Sequence, residues 1–498
     1  MNWLTADLLP SPEFAQRLLL VAVLLPLFAA LLVQLPARLG AHSLARLLGP
    51  LALGSQSVLL LLLWLLLPLL PWPLALALTP TAATVAPIDR LALLLAMVAS
   101  AAVLVFWSRG LDHPEPSRRD AWMLLLATGL VGLSLAGDVI TLYCLVELTT
   151  LAGLALITLR GHTRSLIAML RALIPSALGS LLIVTAIAIL VHETQTLLGF
   201  SQLAAVDDSL WSEPLARTAI ALLLFGLALK VGMFPATAWV GELCAVASGR
   251  IGFLVYALFA QLVLVMIARL MVIFSASGIA QPMLVLALLT LLASALAASR
   301  ARDFPRLLAY SGGIQLGLIL LAFALGDTAG SFIGVALLMH HLLIELALFA
   351  LANRWNGSLR RLNGLATRLP WVTAALVVLV LSLIAIPPLP GFWLRLALIV
   401  TLTDSGLMIT PLLIVGVLIA LMIESIVWLS LLRRLFVPAQ LATLPDPLDP
   451  CVYPELQHPK AIDAALTVFA GLAVLGLMLT FSPPTPWIEH LLVERALW

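Results

Sequence analysis

The chain has 498 residues, 63% of them hydrophobic and 10% charged, with a formal net charge of +2 and a mean hydropathy of +1.15. Soluble domains carry about 25% charged residues, so the composition excludes an ordinary soluble enzyme and leaves a polytopic membrane protein. The small net charge carries no signal for a nucleic-acid partner, and none is expected.

Nearly uninterrupted apolar runs, such as 59–70, 181–190 and 374–381, reach with their flanks the roughly 20 residues a helix needs to cross the hydrocarbon core. Strands of a membrane barrel would alternate apolar and polar residues instead. In chain order the runs predict an all-α protein of about fourteen transmembrane helices, near 16–36, 50–70, 88–107, 120–137, 139–159, 166–191, 215–240, 250–273, 281–299, 306–325, 330–353, 370–398, 407–434 and 461–482. The first is too long and too weakly flanked by charge for a cleaved signal peptide, so it is expected to be retained.

Lys and Arg gather on the cytoplasmic side of a membrane. With the N-terminus outside, Arg38, Arg46, Arg109, Arg118, Arg119, Arg160, Arg164, Arg250, Arg300, Arg302, Arg306, Arg354, Arg360, Arg361, Arg368, Arg433, Arg434 and Lys460 fall inside. Outside stand Arg17, Arg90, Arg217, Arg269 and Arg495, and the 192–216 loop carries Glu193, Asp207, Asp208 and Glu213. The asymmetry predicts a bacterial-type inner-membrane protein with an even number of helices and both termini on the outer side. Trp3, Trp211 and Trp487, near span ends, read as interface anchors.

No soluble stretch exceeds about 25 residues, and no Walker or Rossmann glycine motif occurs. Cys144, Cys244 and Cys451 are scattered, without the spacing of a disulfide frame, a zinc site or an iron–sulfur site. No cofactor, metal or catalytic centre of its own is expected. Any energy source must be a gradient or a partner.

An Asp, Lys or Arg at the centre of a transmembrane helix costs roughly 2.5 to 3.5 kcal/mol by insertion scales, so those that remain are normally paired and functional. Glu147, Arg171, Lys230, Glu345, Arg395 and Glu424 each lie inside a predicted span. Two spans are also broken. Pro235 follows Lys230, and Pro387, Pro388 and Pro390 precede Arg395. A mid-span proline frees backbone carbonyls that hydrocarbon does not satisfy, so such breaks sit where protein or a water-filled cavity does. Breaks beside charges are a pattern of secondary transporters. A shift of about 165 residues lays Lys230 on Arg395 and, within two positions, Gln261 on Glu424. Five helices separate them, an odd number, which predicts inverted repeats over 120–273 and 281–434, preceded by three helices in 1–119 and followed by a loop and the last helix in 435–498.

The segments "LYCLVELTTLAG", "GLALKVGMFPATAW", "RDFPRLLAYSGGIQLGLIL", "HHLLIELALF" and "IPPLPGFWLRLAL", in this order over residues 85–435, resemble the antiporter-like proton-translocating subunits shared by respiratory complex I, Mrp-type cation/proton antiporters and membrane-bound hydrogenases. The resemblance implies fourteen helices with two inverted five-helix units, each containing one broken helix. It also implies that Glu147 and Lys230 are the glutamate–lysine pair of the first unit, with Arg171 as a basic modulator of Glu147. A nearby carboxylate holds a lysine charged, and removing that charge lets the proton go. His340 and His341 match the polar positions before the second unit's central lysine.

The chain departs from the family pattern where Gln261, Glu345 and Arg395 replace titratable lysines, histidine or glutamate, and where "AVASGRIG" replaces a "PTPVSA"-like segment. Gln does not titrate and Arg stays charged in proteins. Carriers in the second unit are therefore expected to be Glu345, the histidines, Glu424 and water, with Arg395 tuning Glu345 as a fixed charge. The structural alternatives are a packing ion pair for Glu147–Lys230, a permanent bridge for Glu345–Arg395, a snorkelling or capping Glu424, helix-packing histidines, and solvated or capping roles for Asp138 and Asp303. The expected function is a non-redox, proton-translocating subunit of a larger membrane complex, with Na+ as the other candidate ion. The alternatives are a proton-conducting subunit of a two-component inorganic-carbon accumulating complex, or a conduction-deficient scaffold.

Overall fold

The computed structural model describes residues 12–34, 42–67, 88–107, 116–159, 161–353, 355, 359–437 and 461–480. Trp3, Trp487 and Cys451 lie outside the described residues, as does most of the loop before the last helix. No strand forms among the described residues beyond one isolated bridge, Asp138 with Gly199. Helices close their backbone hydrogen bonds within themselves, which is what an apolar solvent demands.

The main helices are α1 (Pro12–Leu32), α2 (His42–Leu66), α3 (Arg90–Phe106), α4 (Pro116–Leu135), α5 (Val139–Thr158), α6 (Thr163–Thr194), α7 (Pro214–Lys230), α8 (Thr237–Val246), α9 (Phe259–Ile273), α10 (Ala280–Ser299), α11 (Phe304–Phe323), α12 (Thr328–Ala352), α13 (Pro370–Leu383), α14 (Pro390–Asp404), α15 (Thr410–Phe436) and α16 (Ala461–Thr480). Ten of the described helices are long and apolar enough to cross a membrane. A count of fourteen spans also needs α3, α4 and the two broken pairs, α7 with α8 and α13 with α14. Asp89, Asp138, Asp303 and Asp327 cap α3, α5, α11 and α12, each accepting a backbone N–H from the first turn at 2.6 to 2.9 Å.

By its own contacts the chain forms two compact units. The first takes in the described residues up to Lys230 together with Val265–Ile279. Within it, α6 and α7 pack most closely because Gly179 and Gly226 face each other: a Cβ on either would stand 2.8 Å from the other's carbonyl oxygen. Small residues at a helix contact let backbones approach in this way. Arg269 on α9 is buried and pairs with Asp89 at the start of α3. Trp211 is 1% exposed and stands edge-on to Phe274 at 4.9 Å, a core residue where an interface anchor was expected.

The second unit takes in Val231–Leu264 and the described residues from Ala280 onward. Both helix breaks lie in it. After Lys230 the chain leaves helical geometry over 231–236, with Gly232 at φ +77° and a cis Phe234–Pro235 bond, and resumes at Thr237. The freed Phe234 N–H donates to Thr290 Oγ1 at 3.1 Å. The other break spans 384–389, with a cis Pro387–Pro388 bond, and Pro390 opens α14, where its missing N–H costs nothing. The expected helix at 250–273 contains a π-helical turn, Phe253–Leu258. The last helix is tied to the unit by a buried Arg250–Asp463 pair at 2.7 Å.

The repeat has a register different from the one expected. The caps Asp138 and Asp303 do keep the 165-residue shift, and so do the starts of α6 and α12 at Thr163 and Thr328. The breaks keep a shift of 153, from Pro235 to Pro388, because α6 runs 32 residues against 25 in α12, the segment after it is two residues longer, and α7 runs 17 against 14 in α13. Lys230 precedes its break and Arg395 follows its own, so the two are not counterparts. Aligned on the breaks, Lys230 falls on Leu383.

Candidate functional site

In the first unit, α7 delivers Lys230 at its last residue, where the Gly179/Gly226 approach brings α6 alongside. Lys230 Nζ donates to Glu147 Oε1 at 2.6 Å and to Ser176 Oγ at 3.2 Å. Ser180, one turn beyond Ser176, donates to the same carboxylate oxygen at 2.5 Å. The lysine side chain is wholly buried and that of Glu147 is 25% exposed. A lysine in such surroundings is held by its one carboxylate, and breaking a buried pair typically costs about 3 to 5 kcal/mol. Arg171 stands more than two turns before Ser180 on α6 and is exposed. Lys230 and Ser180 both donate to Glu147.

The second unit holds two clusters. In one, Gln261 Nε2 donates to Glu345 Oε2 at 2.9 Å, and His341 Nε2 comes within 3.1 Å of Glu345 Oε1 from one turn earlier on α12. That approach lies at angles that leave Glu345 Oε1, both ring nitrogens of His341 and Gln261 Oε1 without a hydrogen bond among the described residues. In the other, Arg395 faces Glu424 at 3.7 Å and donates to Gln315 Oε1 at 3.1 Å and to Ser382 O at 3.4 Å. Glu424 accepts from Ser311 Oγ at 2.6 Å and from Gln315 Nε2 at 3.1 Å. Trp428 donates to Ser311, and His340 shares a 2.8 Å hydrogen bond with Ser382 Oγ.

These contacts correct two expectations. Arg395 neither bridges nor tunes Glu345 by contact, because its partner is Glu424. Glu424 neither snorkels nor caps: it is 1% exposed and takes its hydrogen bonds from α11. Arg395 also donates to the carbonyl of Ser382 next to the second break, which accepts the Ala385 N–H as well.

A family model described as NADH:quinone oxidoreductase/Mrp antiporter, transmembrane, matches residues 136–422, more than half of the chain. The chain belongs to this family. It is 26% identical over 422 residues to NADH-quinone oxidoreductase subunit N of Desulforudis audaxviator, covering 82% of each protein. Its fold is that of a chain in an archaeal membrane-bound sulfane sulfur reductase, at TM-score 0.80, 21% identity and 95% coverage of both. The Mrp complex of Dietzia sp. DQ12-45-1b contains a similar fold at TM-score 0.74 and 21% identity, covering 95% of this chain and 99% of the other.

Within this antiporter-family chain the sequence singled out the charges and passed over their neutral partners. Ser176 with Ser180, and Ser311 with Gln315, are polar pairs four residues apart on otherwise apolar helices. That spacing puts each pair on one helix face, and polar side chains in membrane helices seek partners on neighbouring helices. The signal was present. Among the described residues no group of three or more His, Cys, Asp or Glu is placed to hold a metal ion.

Proposed function

We propose that this chain is a proton-translocating, antiporter-like, non-redox membrane subunit of a larger assembly of the complex I, Mrp antiporter or membrane-bound hydrogenase type. The observation that carries the reading is the Lys230–Glu147 pair at 2.6 Å, placed where α7 ends and the helix breaks. When Glu147 is ionised and close, Lys230 keeps its proton. When the carboxylate is neutralised or turned away, the buried ammonium loses its only counter-ion and releases a proton. Ser176 and Ser180 hold the two groups in register through hydroxyls that accept as well as donate. Arg171, on α6, is proposed as a modulator of Glu147.

In the second unit Glu345 and His341 are the proposed carriers, with Gln261 orienting the carboxylate. His340, Arg395 and Glu424 form a fixed polar frame around Pro387, Pro388 and Pro390. The first repeat, 120–273, and the second, 281–434, are read as the family's two inverted five-helix units. The location is a bacterial-type inner membrane, with both termini on the outer side. Partners are other membrane subunits, as the relatives' names describe for their own complexes.

Glu147→Gln or Lys230→Ala, in the intact complex reconstituted in vesicles, is expected to abolish proton uptake while assembly persists. Unchanged pumping in either variant defeats the reading and favours a scaffold. Replacing Na+ by choline in the same assay separates the two candidate ions.

A further inference from the structure

The two repeats begin in register. Asp138 and Asp303 cap helices of 20 residues each, and α6 and α12 then start at Thr163 and Thr328. That common shift lays Gly312 on Glu147, His341 on Ser176 and Glu345 on Ser180. In both units the paired positions face one another across the helix contact. Ser180 donates to Glu147 at 2.5 Å, whereas a Cβ built on Gly312 would stand 2.6 Å from Glu345 Oε1. Real Cβ atoms do not come so close, so the carboxylate of Glu345 fills the room that a side chain at 312 would need.

We propose that Glu345 is the switching carboxylate of the second unit, transposed across the α11–α12 contact from the place Glu147 holds in the first, with Gly312 as the residue that makes room for it. This rests on the reading of Glu147 as a switch in the first unit. The partner changes along with the carboxylate. α7 ends in Lys230, whereas α13 ends in the apolar Leu383 with no basic residue in its last turn. A titratable group beside Glu345 is His341, at 3.1 Å on the same helix, in the place of Ser176. A glutamate–lysine pair between two helices becomes a glutamate–histidine pair along one. Its step is a proton transfer: an O–H bond on Glu345 breaks as an N–H bond on His341 forms, and no oxidant or reductant is needed. Both side chains are at least 95% buried and both keep unpaired polar atoms among the described residues, which suits a group that hands on a proton and not one locked in place.

The test uses the full chain in its native membrane complex. Proton uptake is read with a pH-sensitive dye in inverted vesicles, and assembly is read on a native gel. Glu345→Ser removes the carboxylate, and Gly312→Glu forces two carboxylates into one space. Each single variant is expected to lose uptake about a hundredfold, the size of a proton-transfer group's contribution. The double variant G312E/E345S puts the carboxylate and the serine in the places they hold in the first unit, with His341 still alongside, and is expected to recover to within about threefold of the parent. Glu345→Gln keeps the shape and a hydrogen bond to Gln261 but does not titrate, and it is expected to lose uptake like Glu345→Ser. The proposal is overturned if the assembled double variant is no better than Glu345→Ser, or if Glu345→Gln still takes up protons. Should the double variant not assemble, Glu345→Gln decides alone. Glu147→Gln, run alongside, keeps the two readings apart. If it leaves uptake intact, the first unit's switch fails. If it abolishes uptake and the swap does not recover it, only the transposition fails.

Discussion

Arg395 shows how one side chain can serve two needs at a helix break. Its guanidinium reaches Ser382 O on one side and Gln315 Oε1 on the other, with Glu424 at 3.7 Å. Arg395→Met would leave Glu424, 1% exposed, with only the neutral donors Ser311 and Gln315. Removing one member of a buried charge pair typically costs about 3 to 5 kcal/mol. Arg395→Lys keeps the charge but lacks the planar fork that spans two acceptors, so its loss should be smaller. Thermal unfolding of the purified protein in detergent is expected to rank the parent above Lys and Lys above Met. Equal melting of all three would remove Arg395 from any structural role. The ionisable residues themselves were legible in the sequence, because each sits alone in an apolar run. Their pairing was not: Arg395 was expected to tune Glu345, yet its contact goes to Glu424, beside α11 residues that look unremarkable one at a time.

At the scale of elements, the helices and their breaks follow from apolar runs, aspartate caps and prolines, all visible in the sequence. The registers do not, since a single shift of 165 residues fits α5 with α11 and the starts of α6 and α12, while the extra length of α6, of the segment after it and of α7 moves the breaks to a shift of 153. Tertiary packing decides such lengths. The same packing places the first unit's site, because Gly179 and Gly226 let α6 carry its serines up to Lys230. Gly226→Leu would bring a Cβ to 2.8 Å from both Gly179 O and Ile183 Cγ1. The helices must then separate, carrying Ser176 and Ser180 away from Lys230 and Glu147. Proton uptake should fall by about tenfold or more with the protein still inserted and assembled, since misplacement of about 1 Å alone can be that costly. Gly54→Ala on α2, where a Cβ meets nothing within 4 Å, is the matched control and should be silent. If Gly226→Leu is silent as well, close approach of α6 is not what builds the site.

For the whole molecule, the cationic asymmetry makes a statement about sidedness that turns on the broken pairs. If α7 and α8 together cross the membrane once, then three crossings separate the 192–216 loop from the end of α10: that pair, the span through α9, and α10 itself. Ser209 and Ser299, both exposed, would then face opposite sides, Ser209 outside beside Asp207 and Asp208, and Ser299 inside beside Arg300 and Arg302. The native thiols need replacing first, because Cys144 is exposed. In that background Ser209→Cys is expected to react with a membrane-impermeant maleimide on intact cells, and Ser299→Cys only after the membrane is opened. Arg and Lys near span ends fix orientation through their reluctance to cross, so this pattern is what the charge count demands. Labelling of both positions from one side would mean that the pair broken at Pro235 turns back instead of crossing. The even helix count would then fall, and with it the placement of both termini outside.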